Sequence, residues 1–181
     1  MTDKKILILS GSSRRNGNTG LMAEAFAKEA ITSGNEAVII ELCGKQIYGC
    51  LACDNCTVNN GKCIQNDDMS EIAEQLKACD TLVFAAPVYY GGFPAKLKAV
   101  IDRFYALGAK NMTVRDCFLL AAAGRRDKTA ADSTIHYYEY LADYMGWNNC
   151  GEVCAIGYED KASIKNSDEL KRVRELALCN P

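Results

Sequence analysis

Five short apolar runs recur along the chain with a helix-period segment after each, and this alternation constrains the fold more than any single motif. KKILIL (4–9), EAVIIEL (36–42), TLVFAAP (81–87), DCFLLAAAG (116–124) and CGEVCAIG (150–157) are bounded by polar or turn-forming residues, and runs of that length read as buried strands. The segment 19–34 carries apolar residues at Leu21, Met22, Ala25, Phe26 and Ala30 and stops at Gly34, which is a helical face with a C-terminal signal. Segments 67–80, 93–107, 128–146 and 167–178 follow the same rule. Asp67 or Asp68 suits the cap of the second helix, and Pro94 suits the first turn of the third. Strands that are apolar on both faces and spaced by helices predict an α/β fold, a doubly wound parallel sheet with helices on both faces.

Nothing divides the chain further. No repeat, linker or low-complexity tract interrupts residues 1–181, so they are read as a single domain with a cysteine-rich loop at 49–66. That length buries a core without disulfide staples. The formal net charge of −2 offers no basic field for nucleic acid. MTDKKILILSGSS holds too short an apolar run for a signal peptide or a membrane span, so a cytoplasmic location with no membrane partner is expected. In such a reducing compartment ten cysteines are not a disulfide framework. Cys43, Cys79, Cys117, Cys150, Cys154 and Cys179 are scattered and read as core or surface thiols.

Open sheets of this class bind ligands beyond the carboxyl ends of their strands, which directs attention to the loops after the first, third and fourth strands. The first, SGSSRRNGNT (10–19), brings hydroxyls, amides and a helix start to one place, an arrangement suited to an anion. It is neither a Walker A loop nor GxGxxG; a terminal phosphomonoester suits it better. The second, PVYYGGFPAKLKAVIDR (87–103), sets two tyrosines beside two glycines, which lets backbone and aromatic surface approach a flat ring. The third is AAAGRRDK (121–128), whose Arg125 and Arg126 read first as solvated charge. The single histidine, His136, lies in a Tyr-rich helical segment and reads as structural. Tyr137, Tyr138, Tyr140 and Tyr144 in that segment read as packing, some of it against a second subunit.

The remaining motif is 49-GCLACDNCTVNNGKC-63, where Cys50, Cys53, Cys56 and Cys63 follow a C-x2-C-x2-C-x6-C spacing. Three thiolates in one tight series with a fourth nearby match the count of a cubane cluster. Structural zinc is the competing occupant, although it more often uses two separated hairpins. A cysteine loop that is empty or partly oxidised is the third reading.

Taken together, SGSSRRNGNT, GCLACDNCTVNNGKCIQNDDM and PVYYGGFPAKLKAVIDR resemble the flavodoxin-like NAD(P)H-dependent FMN reductases, and within them the iron-sulfur flavoproteins. The resemblance implies a five-stranded sheet of order 2-1-3-4-5. It implies that Ser10, Ser12, Arg14, Asn16, Asn18 and Thr19 hold the FMN phosphate. Pro87, Val88, Tyr89, Tyr90 and Gly91 would line the isoalloxazine, with Ala122, Ala123 and Gly124 approaching it. Ser13 departs from the proline often found in that family. The implied activity is an FMN-dependent NAD(P)H oxidoreductase with chemistry at the flavin N5 and no catalytic side chain, acting on quinones, nitro or azo compounds, or free flavin. The alternative is a relay in which a [4Fe-4S] cluster on Cys50, Cys53, Cys56 and Cys63 and FMN carry electrons between a ferredoxin-like carrier and an acceptor. A homodimer or homotetramer is expected, and a flavin-free interaction domain is the third class.

Overall fold

The computed structural model describes residues 4–108 and 111–178. Five strands form one parallel sheet, β1 (Lys5–Ser10), β2 (Glu36–Glu41), β3 (Thr81–Pro87), β4 (Asp116–Ala123) and β5 (Asn148–Ile156), in the order β2-β1-β3-β4-β5. The expected topology is thus the one found. Register runs from Lys5 opposite Glu36 to Pro87 opposite Ala122 and Ala123 opposite Ile156, with an irregularity between Cys117 and Leu119.

The period of two within each strand divides the core. Leu7, Leu9, Leu82, Phe84 and Leu119 point into one apolar cluster, whereas Ile6, Ile8, Val83, Phe118 and Leu120 point into the other. The first face is covered by α3 (Met69–Ala78), α4 (Ala95–Asp102) and α6 (Asp132–Met145), the second by α1 (Asn18–Thr32) and α7 (Asp168–Leu178). Only the central strands are buried almost throughout: edge strand β2 exposes Val38, and β5 is only partly covered.

Three expectations about helices need correction. Residues 93–107 are not one helix but α4 followed by α5 (Phe104–Leu107), with the break at Arg103. The helix expected from 128 begins at Asp132, because the Asp127 carboxylate accepts from the Thr129 backbone and hydroxyl and holds that stretch as a turn. Asp68 does occupy the N-cap position of α3, but its side chain does not cap the helix, and Asp67 caps it only in part. Asp67 reaches the Met69 amide at 3.2 Å, but its second oxygen takes the Tyr48 amide, and Asp68 takes the Gln46 amide. Both acids therefore fasten the chain entering the cysteine loop, which also contains a one-turn helix, α2 (Asn55–Val58), that periodicity did not signal.

Of the scattered cysteines, Cys79 and Cys117 are buried, Cys43 is exposed, Cys150 and Cys154 are intermediate, and Cys179 lies outside the described residues. Tyr138 is wholly buried, its hydroxyl donating to the Cys117 carbonyl at 2.8 Å, while Tyr140 and Tyr144 stack on each other in solvent with centroids 6.3 Å apart. Among the described residues no helix is long and apolar enough to cross a membrane.

Candidate functional site

The carboxyl ends of β1, β3, β4 and β5 surround a cavity of about 140 Å³ lined by Ser12, Arg14, Gly17, Asn18, Thr19, Pro87, Val88, Tyr89, Ala122, Gly124, Tyr158 and Glu159. Its floor is the start of α1. Gly17 precedes that helix in an extended conformation, no side chain caps it, and its first turn carries no acid. Such a turn presents free amides and the positive end of the helix dipole, the two features that attract an anion. Ser12 shapes the approach by accepting the Arg14 amide at 3.1 Å, and Arg14 Nη1 reaches the Glu159 carbonyl at 3.1 Å.

A second cavity, of about 550 Å³, shares Val88 and Gly124 with the first and adds Tyr90, Gly91, Ala123, Arg125, Thr129, Ala130 and Ser133. Tyr90 adopts a left-handed conformation, φ 51°, and is fully exposed. Gly91, at φ 78°, is held from behind, its carbonyl accepting from Ser133 Oγ at 2.6 Å and from Thr134 Oγ1 at 3.1 Å. The start of α6 therefore clamps the loop expected to meet the ring.

Most of the residues singled out from the sequence are brought together here, but not all in the expected manner. Ser10 is buried at the last ladder position of β1, and Asn16 is an exposed left-handed turn residue; neither is in the cavity lining. Asn18 has its side chain committed elsewhere, donating to the carbonyls of Tyr158 and Asp160, both at 2.9 Å, and accepting the Ile164 amide. Its amide group staples the loop after β5, leaving its position in the first turn of α1 to face the cavity. Tyr158 and Glu159 were missed by sequence reasoning. The signal was available, because 157-GYED-160 follows a strand and so ends at the same side of a parallel sheet. Arg125 pairs with Asp127 at 3.0 Å, and Arg126 packs close to Gly157.

The cysteine loop begins after β2 at the same sheet edge, with the Leu42 amide bonded to the Ser10 carbonyl. Cys50, Cys53, Cys56 and Cys63 line one small cavity of about 20 Å³, together with Leu51, Ala52, Asp54, Arg103 and Tyr105. Left-handed residues at Ala52 and Asp54 turn the backbone twice between the first three cysteines, and the Ala52 amide lies 3.4 Å from Cys50 Sγ. Among the described residues no three His, Cys, Asp or Glu side chains converge on a point where one metal ion would sit. That geometry does not match a preformed tetrahedral zinc site. The four cysteines instead border one shared space.

Beneath the loop lies a buried ion pair. Arg103 Nη1 donates to Asp67 Oδ2 at 2.8 Å and Nη2 to Asp67 Oδ1 at 3.2 Å, with side chains 3% and 0% exposed. Burial pushes the Asp67 carboxyl up, but the bonds from Arg103 and the Tyr48 amide outweigh it and leave its pKa below the ordinary value. Burial of Cys79 and Cys154 pushes each thiol up to about 12, and Cys117 to about 11, so these three are not nucleophiles.

Comparison with known proteins adds the following. The NADPH-dependent FMN reductase family model matches residues 4–160. An iron-sulfur flavoprotein of Methanosarcina thermophila is 36% identical over 112 residues, 62% of this chain and 58% of that protein. An iron-sulfur flavoprotein of Methanocaldococcus jannaschii is 34% identical over 139 residues, 73% of this chain and 69% of that protein. The chain spans only about half the length of several of the curated relatives it matches. Among solved structures, the Trp repressor binding protein from Bacillus subtilis superposes with a TM-score of 0.71 at 25% identity, over 96% of this chain and 98% of that one.

Proposed function

The chain belongs to the NADPH-dependent FMN reductase family, and from that premise we propose that it is an FMN-dependent NAD(P)H oxidoreductase of small-molecule acceptors. The observation that carries the reading is the uncapped, acid-free start of α1 opening on a cavity walled by Pro87, Val88 and Tyr89. Those residues fit FMN. Ser12, Arg14, Thr19 and the first-turn amides of α1 would take its phosphate, and Pro87 to Gly91 with Ala122 to Gly124 would lie along its ring. When bound, FMN supplies hydride acceptance at N5 and the return of electrons singly or in pairs. The protein's part is to bind, orient and shield. The free amides of α1 favour the dianion, the Ser133 and Thr134 bonds to Gly91 fix the ring-side loop, and the 550 Å³ cavity leaves room for donor and acceptor in turn. Quinones, nitro and azo compounds and free flavin are the acceptor classes it serves.

A second reading is favoured by the four cysteines around one cavity. Cys50, Cys53, Cys56 and Cys63 would ligate a [4Fe-4S] cluster, which supplies one-electron transfer, and the partner would then be a ferredoxin-like carrier. The exposed Tyr140–Tyr144 stack supports assembly as a homodimer or homotetramer. Protein purified without oxygen should carry about one FMN per chain and be reduced by NADH or NADPH in single-turnover mixing. FMN binding with no reduction by either nucleotide, but reduction by reduced ferredoxin, would replace the oxidoreductase reading with the relay. Failure to bind FMN at micromolar concentration would remove both.

A further inference from the structure

We propose that Arg103 is a positioning residue for the centre on the cysteine loop, its unpartnered Nε hydrogen being the donor that such a centre would accept and that would raise its reduction potential. The inference rests on the cluster reading given above. Arg103 has five donors, and its two terminal nitrogens are engaged by Asp67 and by the Tyr48 carbonyl at 3.1 Å. Its Nε is buried and has no partner; among the described residues only Thr81 Oγ1 shares that condition on a side chain. A buried donor without an acceptor is costly, and an ion pair with Asp67 alone does not require it.

The surroundings are those of the cysteine loop. Arg103 lines the cavity bounded by all four cysteines, and it also lines the adjoining cavity of about 310 Å³, which it shares with Cys63. Its backbone sits at the break between α4 and α5, so the guanidinium is aimed by the domain and not by the loop. Reduction adds one negative charge to a thiolate-bound cluster, so a fixed donor binds the reduced form more strongly. Hydrogen bonds to sulfur and local charge are among the terms that set such potentials.

The test compares wild type, Arg103→Lys and the double variant Asp67→Asn/Arg103→Gln, all purified without oxygen. FMN, iron and sulfide are quantified and the cluster is titrated spectroelectrochemically with dithionite as reductant. All three should hold FMN, which Arg103 does not touch. In the double variant the ratio of reduced to oxidised cluster at fixed potential should fall about tenfold, equivalent to about 59 mV for a one-electron couple, with Arg103→Lys between the two. Equal potentials in proteins that all carry the cluster would overturn the role of Arg103 and leave the cluster reading standing. Wild type with FMN but no iron would overturn the cluster reading, and this inference with it. Should the double variant lose FMN, the potential of Arg103→Lys decides alone, an unchanged value counting against the proposal.

Discussion

Gly91 and Ser133 should be energetically coupled, and the size of that coupling follows from their geometry. A Cβ added at Gly91 would stand 2.7 Å from Ser133 Oγ, on a backbone whose φ of 78° disfavours side chains. Gly91→Ala therefore incurs about 1–2 kcal/mol for the left-handed conformation. It also forces the Ser133 hydroxyl to rotate away, losing the 2.6 Å bond to the Gly91 carbonyl, worth about 1 kcal/mol. The expected destabilisation is about 2–3 kcal/mol. Ser133→Ala alone should cost about 1 kcal/mol, since Thr134 still donates to the same carbonyl. The double variant has no hydroxyl left to displace, so it should be no worse than Gly91→Ala, a departure from additivity of about 1 kcal/mol. Urea unfolding of the FMN-free chain measures all four corners of the cycle, and flavin fluorescence should show weaker FMN binding wherever the loop is loosened. Additive single effects would refute the claim that Ser133 is the obstacle behind Gly91.

The start of α1 gives a prediction of opposite signs. A side chain at Gly20 meets open space, so Gly20→Glu should stabilise the FMN-free chain by about 1 kcal/mol through helix propensity and the dipole. It should also weaken FMN about fivefold by charge repulsion; thermal melts with and without FMN read both, and tighter binding would contradict a phosphate at this helix end. Alkylation of the metal-free protein with iodoacetamide near pH 8, followed by mass mapping, should label the exposed Cys43, Cys50 and Cys53 quickly. Cys79, Cys117 and Cys154, their thiols raised to about 11–12, should stay unlabelled until urea is added; early labelling of Cys117 would mean that its strand opens. Asp67 predicts an acid limb. Its folded pKa lies below the ordinary 3.8, so its contribution is fully present above that value and is lost as pH falls through the lower folded pKa. Unfolding free energy should therefore drop below about pH 4, and Asp67→Asn/Arg103→Gln should show a shallower drop; parallel curves would remove Asp67 from the explanation.

The parallel sheet and the loops that wall the cavity were legible because they follow from periods of two and 3.6 and from one rule about strand ends, whereas the strand order came from the resemblance to the FMN reductases. SGSSRRNGNT and PVYYGGF lie where those rules put them. What periodicity could not reveal was side-chain commitment. Asn18 looks like any polar residue in a phosphate-type loop, yet its amide is spent on carbonyls more than a hundred residues away. Asp67 looks like a cap and is instead half of a buried ion pair, because its partner Arg103 comes from a helix break that an unbroken apolar pattern over 93–107 hides. Tyr158 and Glu159 follow the fifth strand, whose carboxyl end obeys the same rule as the other four but carries no glycine-rich or hydroxyl-rich motif to mark it.

That helix break bears on how two redox sites would be held in one short chain. The segment PVYYGGFPAKLKAVIDR opens at the ring-side cavity and closes at Arg103 under the four cysteines. Between them stands α4, eight residues and so about 12 Å long, with Leu97, Val100 and Ile101 sunk in the core. Lys96, on the same helix, donates to the Lys45 carbonyl at 2.7 Å and so grips the chain that leads into the cysteine loop. A single rigid element would thus carry the flavin-side loop at one end, and it carries the anchor of the cysteine loop at the other. The separation of the two sites is then set by the length of one packed helix, and a loop that is mostly exposed acquires a fixed place without a core of its own.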